Sequence, residues 1–242
     1  MLFKDRRSFT LIELLIVIAI LTIVAAFAIP KMLTARLAAN EASAIASLKA
    51  LLQAQSQAQS RGAIDTDADG AGEFGYLGEL MGLVPARVSA GGVTSPGVAG
   101  IDEIEPSPLL QSMGPVVNGV SEHSGYYFQV WLPGPSGAGV AGVAEDAGGG
   151  KLAAPFPDSN NGEVMFAAYP WPTNLQRSGE MVFFINQEGT LLRTQNRAPV
   201  PYDGLINMPA FDAAFTQPND MSSQMALNGA VANDGNVWVA VQ

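Results

Sequence analysis

Three regimes of apolar and polar positions follow one another along the chain. From Phe9 to Ile29 every side chain is apolar except Thr10, Glu13 and Thr22, a run of 21 residues. A helix rises about 1.5 Å per residue, so this run matches the roughly 30 Å hydrocarbon thickness of a bilayer. From Lys31 to about Arg61 the sequence is rich in Ala, Leu, Gln and Lys and has neither Gly nor Pro. Leu33, Leu37, Ala44, Ile45, Leu48 and Leu52 recur there at helical spacing, which predicts a second half of the same helix with one face packed on a globular domain. Farther on, YYFQVWLP (126–133), EVMFAAYPW (163–171), EMVFFINQ (180–187) and TLLRTQ (190–195) are rich in aromatic and branched residues bounded by Gly, Pro or Asn. These read as strands, the last two joined as a hairpin by Glu188-Gly189.

The pattern predicts an α+β chain: a long N-terminal helix, membrane-spanning in its first half, on a small antiparallel meander at about 126–195 with long irregular loops. Its segments are a leader at 1–8, a spanning helix at 9–29, a helix continuing through 30–62 and a globular domain at 63–242. Pro30 removes a backbone hydrogen bond and crowds the carbonyl of Ala26, so a bend or melted turn is expected near 26–30. Gly62 ends the helix, a short helix follows at 77–82, and residues 84–125 read as loops with small elements around Leu109 and Leu110. The Gly-rich link 134–150 reads as an exposed excursion. The chain after Arg197 reads as irregular up to VWVAV (237–241), which adds an edge strand or docks the C-terminus.

Charge sharpens this picture. The 242 residues carry a formal net charge of −10, and removal of residues 1–8, with three cations and one anion, would leave −12. So acidic a chain is not expected to bind nucleic acid by neutralising phosphates. No cysteine is present, which excludes disulfides and thiolate chemistry. Lys4, Arg6 and Arg7 precede the apolar run and hold the N-terminus in the cytoplasm, leaving the residues after Pro30 outside. Within the run, Glu13 is the one charge, and an acid in hydrocarbon costs on the order of 2.5–3.5 kcal/mol on insertion scales. No Lys or Arg lies between Phe9 and Pro30. Its partner is therefore expected from another molecule, and a free amino group on Phe9 of a neighbouring copy fits if Ser8-Phe9 is cut.

A short basic leader, a small residue and then FTLIELLIVIAILTIVAAFAIP resemble the signal and N-terminal helix of type IV pilins and of the pseudopilins of type II secretion systems, over roughly residues 4–60. The resemblance implies cleavage before Phe9 and its N-methylation by a prepilin peptidase. It implies that Glu13, at the fifth mature position, is the assembly glutamate, and that Pro30 loosens the helix. Ser8 departs from the Gly usual before the cut. Further implications are a structural role without catalysis, polymerisation with itself and other pilin-like subunits on an inner-membrane platform, and residence in membrane lipid beforehand. After assembly the filament would be periplasmic or extracellular. The missing cysteine pair leans toward the pseudopilins.

Asp65, Asp67 and Asp69 alternate ahead of Gly70, as in the first half of a D-x-D-x-D-G calcium loop, with Glu73 at its ninth position. The twelfth position is Tyr76 rather than a bidentate Glu, and a solvated acidic turn explains the same residues. Ca²⁺ is thus a possible ligand and no cofactor is required; some members of the resembled family bind Ca²⁺ in their globular domain. Other candidates have plainer explanations. His123 is the sole histidine and no G-x-S-x-G is present; Gly137, Gly139 and Gly142 form a G-x-G-x-x-G with no helix-forming run behind it. Tyr169 and Trp171 could form a sugar or peptide platform, but read more simply as packing, as do Trp131 and Trp238. The competing function is a membrane-anchored binding module or enzyme on an uncleaved signal anchor.

Overall fold

Thr10 caps the first helix, α1 (Leu11–Ser60), in a computed structural model that describes residues 9–227 and 229–241. Fifty residues run without interruption through Pro30. The melted turn expected at 26–30 is not seen: one missing amide leaves the turns on either side bonded, and residues 26–30 stay helical. The helix stops at Arg61, and Gly62 (φ 60°) takes the left-handed position that lets the chain reverse. Between Leu37 and Ala58 the buried positions are Leu37, Ala44, Leu48, Leu51, Ala54, Gln55 and Ala58. Ile45 and Leu52 flank this stripe half-buried, while Leu33 is exposed.

Short elements follow: α2 (Leu77–Leu80), β1 (Val88–Ser89), β2 (Thr94–Ser95), a 3-10 turn (Gln111–Met113), β3 (Val116–Val117) and β4 (Val120–His123). The helix expected at 77–82 is one turn, with Met81 and Gly82 closing it. Then come β5 (Tyr126–Ser136), β6 (Val140–Ala144), α3 (Ser159–Gly162), β7 (Ala167–Pro172), β8 (Val182–Asn186), β9 (Leu192–Thr194) and β10 (Val239–Ala240). All but β1 and β2 form one antiparallel sheet of order β10-β9-β8-β7-β5-β4-β3, with β6 also on β5. The α+β arrangement of a long helix on an antiparallel sheet is therefore present, and VWVAV supplies the edge strand.

The stretch 134–150 corrects the expectation of an exposed excursion. Its first half prolongs β5 and returns as β6. Its second half turns through Gly149 (φ 97°) and Gly150 (φ 65°) and lodges buried Glu145 against α2. Glycine here serves close approach rather than freedom: a Cβ on Gly142 would run into the Phe211 ring.

Both faces of the sheet are covered. One face packs on α1 and α2 through Tyr126, Phe128, Val130, Ala168, Phe183 and Ile185. The other carries Tyr169, Trp171, Val182 and Phe184, covered by the irregular chain after Arg197 through Tyr202, Phe215, Met221 and Trp238. Neighbours along β7 and β8 alternate between these cores, so both strands are buried at every position.

Candidate functional site: a spanning helix and an acidic loop

Side chains from Leu11 to Arg36 are exposed, and α1 is the one described helix long and apolar enough to cross a membrane. Such a surface cannot be left in water, because each large apolar side chain is worth about 1.5–3 kcal/mol when covered. Glu13 stands in its first turn. Its carboxylate accepts from the Thr10 backbone N–H (2.9 Å) and hydroxyl (2.7 Å), while Glu13 N–H donates to Thr10 Oγ1 (3.3 Å). This reciprocal capping box satisfies two amides at the helix start. Thr10 therefore has a role that the sequence reading did not assign, although the spacing T-x-x-E signals it. Hydrogen bonds are thus supplied from within the chain, but compensating charge is not: past Phe9 the first cation is Lys31, about 27 Å farther along the helix. Thr22 bonds back to the Ala19 carbonyl (2.8 Å), as expected of a threonine in a helix. Phe9 is 81% exposed at the head of the helix, and Ser8 lies outside the described residues.

The second cluster lies past the other end of α1. Asp65, Asp67 and Asp69 each place a carboxylate oxygen within 4.8 Å of the others. The loop folds on its own amides: Asp65 accepts from Ala68 N–H (2.7 Å) and Gly70 N–H (3.0 Å), and Asp69 from Ala71 N–H (2.8 Å). Gly70 (φ 94°) makes the sharp turn. Glu73, expected in the same group, is instead buried and turned inward, its carboxylate accepting from Thr66 N–H (2.7 Å) and hydroxyl and pairing with Arg87 (3.0 Å). Near the loop, outside the three clustered carboxylates, is Glu163, the residue after α3. Its Oε1 is buried without a hydrogen-bond partner, and its carboxyl is held above the ordinary range by desolvation, then by Asp69 and Asp67. Gln59 of α1 donates to the Glu163 carbonyl and fixes it there. No sequence spacing joins residues this far apart.

Residues 3–29 match the prokaryotic N-terminal methylation motif. This is the type IV pilin and pseudopilin signal, and with the exposed apolar helix it supports membrane anchoring, processing by prepilin peptidase and assembly with pilin-like subunits. No curated protein and no solved structure matches the chain.

Behind the methylation-motif helix the domain holds a charge network that the sequence reading missed. Arg87 is fully buried, bonded to Glu73 (3.0 Å), Glu79 (3.0 Å) and the Phe74 carbonyl (2.7 Å), with its guanidinium 5.3 Å from the centre of the Tyr76 ring. Desolvation raises the Glu73 carboxyl and Arg87 opposes it. Beside them Glu145 accepts from Gly78 N–H (2.7 Å) and Gly150 N–H (2.8 Å), and burial pushes its carboxyl up to about 8. These groups are enclosed and join α2 to the turns around it. They are scaffolding.

The remaining candidates pack. Tyr169 is buried, its hydroxyl donating to the Phe211 carbonyl (3.0 Å), and buried Trp171 donates to the Gly204 carbonyl (2.7 Å). Trp238 is likewise buried with its indole N–H on Asp234, and Trp131 packs half-buried against Phe211. His123 ends β4, its Nδ1–H donating to the Ser112 carbonyl (2.9 Å). Gly137 and Gly139 lead into β6, so no helix N-terminus meets the glycine motif.

Proposed function

We propose that this chain is the structural subunit of a type IV pilus-like filament, and within that class a pseudopilin of a type II secretion system. In this reading prepilin peptidase cuts Ser8-Phe9, and the subunit waits in the inner membrane with its globular domain in the periplasm. It then polymerises through Phe9–Ile29. One observation carries the reading: Glu13 is the sole charge of an exposed apolar helix that offers it hydrogen bonds from Thr10 and no cation. The amino group freed on Phe9 of the next copy supplies that charge. Repeating heterologous contacts of this kind build a filament when the rotation does not close a ring. Pro30 is the point where the helix loosens as it leaves lipid.

Intact mass of the purified protein tests the processing step. Loss of residues 1–8 with one methyl added is expected, and a retained leader would favour the signal-anchor alternative. Glu13→Val should insert into membrane as well as the parent but fail to assemble. Normal assembly of that variant removes the proposed pairing.

For the acidic loop the reading is a divalent-cation site of Asp65, Asp67 and Asp69, with Glu73 turned away from it and Glu163 outside the cluster but close enough to feel its charge. A cation bound to the folded state raises the melting temperature by mass action. Asp67→Ala should lower the melting temperature in Ca²⁺ but not in excess chelator. Equal shifts in the two conditions would eliminate the site.

A further inference from the structure

The two ends of the globular domain differ in charge. At the end nearer the spanning helix, Asn40 donates to the Ser178 carbonyl (2.8 Å), and Glu41 accepts from the amides of Glu180 (3.1 Å) and Met181 (3.2 Å). This fixes the loop carrying exposed Arg177 at the level of residue 40 on α1. Met181 also lines a cleft of about 470 Å³ at the edge of the sheet, bounded by residues 193–197 and 235–239, whose mouth carries exposed Arg193 and Arg197 beside Gln195. The three described ion pairs involve Arg87 and Lys151 alone, so none of these arginines has a carboxylate partner among the described residues. Nearby acids keep their charge: Glu41 and Asp203 accept backbone amides, Asp234 lies beside Arg197 through Asn236 and Glu180 is exposed, so the positive excess at this end comes with Lys31 and Arg36, exposed on α1 just before residue 40.

At the far end of α1, past Arg61, the balance reverses. Asp102, Glu103 and Glu105 line a cleft with Arg61, and the Asp65–Asp69 loop follows directly from the helix. Twenty residues of helix separate Glu41 from Arg61, about 30 Å. Positive charge at the base and negative charge at the top thus lie along the axis of the helix that carries assembly.

We propose that the base of one subunit, at Arg177, Arg193 and Arg197, seats on the acidic rim at Asp102, Glu103 and Glu105 of a second copy of this chain, head to tail along α1. The inference rests on the filament reading and adds to it the surface that sets axial register. Such a contact is heterologous and repeats without closing. Unpaired guanidiniums meeting carboxylates steer the approach and reject a copy docked base to base.

The chain has no cysteine, so introduced thiols report cleanly. Gln195→Cys with Ser107→Cys places one thiol between Arg193 and Arg197 and the other beside Glu105. In assembled filaments of the full chain, a bifunctional thiol cross-linker should give a ladder of dimers, trimers and higher species. Arg193→Glu/Arg197→Glu in that background should cut the ladder about tenfold, and adding Glu103→Lys/Glu105→Lys should restore it. Sedimenting filaments without a ladder would overturn the contact and leave the filament reading standing. A ladder that falls with the arginines and does not return with the swap would also overturn it, pointing to lipid headgroups at the base. If the unmutated chain forms no filaments, both readings fall.

Discussion

From Leu11 to Arg36 α1 buries no side chain, whereas from Leu37 to Ala58 it buries seven. Backbone geometry is the same in both halves, so the contrast comes entirely from what the side chains meet. The first half is apolar all round and finds no surface within its own chain. The second is apolar on one stripe and finds the sheet. Acids in the two regions differ correspondingly. Glu73 and Glu79 sit in the domain interior with Arg87 between them. Glu13 has the Thr10 capping box and no countercharge between Phe9 and Pro30. The comparison teaches that the domain settles its buried charges internally, while the helix leaves one to be settled by another molecule.

Removing Arg87 is the strongest way to break that contrast. Arg87→Ala leaves two buried carboxylates facing each other without a cation, and breaking a buried pair in this way costs about 3–5 kcal/mol. Thermal unfolding of the full chain in detergent should show a large fall in melting temperature. Arg87→Met with Glu73→Gln and Glu79→Gln should recover most of it, because no unpaired charge remains. If the single variant melts like the parent, the network does not hold the domain.

A pair of leucines tests the two halves directly. Leu48 is fully buried against the sheet-facing core, and Leu48→Ala should destabilise the domain by about 2–5 kcal/mol. Leu21 is 60% exposed on the first half, and Leu21→Ala should leave the melting transition of the domain where it is. Equal losses would mean that the spanning half packs on the domain after all.

Much of this division was legible in the sequence. The length of the apolar run and the position of Glu13 gave the spanning half, and helical spacing of Ala44, Leu48 and their neighbours gave the packed half. Strands 126–133, 180–187 and 190–195 were found near their observed bounds because their residues favour a buried pleated surface. The second core was legible only at Trp238, read as packing within VWVAV; Tyr202, Phe215 and Met221 stand in irregular chain with no periodicity to read. Nor was the Arg87 network, whose members come from separate short elements, or Glu163 at the acidic loop, which only the fold brings there. The Gly-rich stretch misled because glycine permits close packing as readily as it permits freedom.

Glu145 refines the comparison by showing how the domain holds an acid that lacks a cation. Its Oε1 accepts two backbone amides, its Oε2 has no partner, and burial pushes the carboxyl up to about 8 from the ordinary 4.5. The folded state therefore keeps a proton that the unfolded chain releases near 4.5. The resulting stability is fully present below that pH and is lost as pH rises through about 8. Raising pH from 7 to 9 should cost on the order of 1 kcal/mol through this one group. Glu145→Gln copies the protonated form and should flatten that part of the profile, measured by chemical denaturation at each pH. A slope unchanged by the substitution would show that Glu145 is ionised throughout, held by its two amides alone.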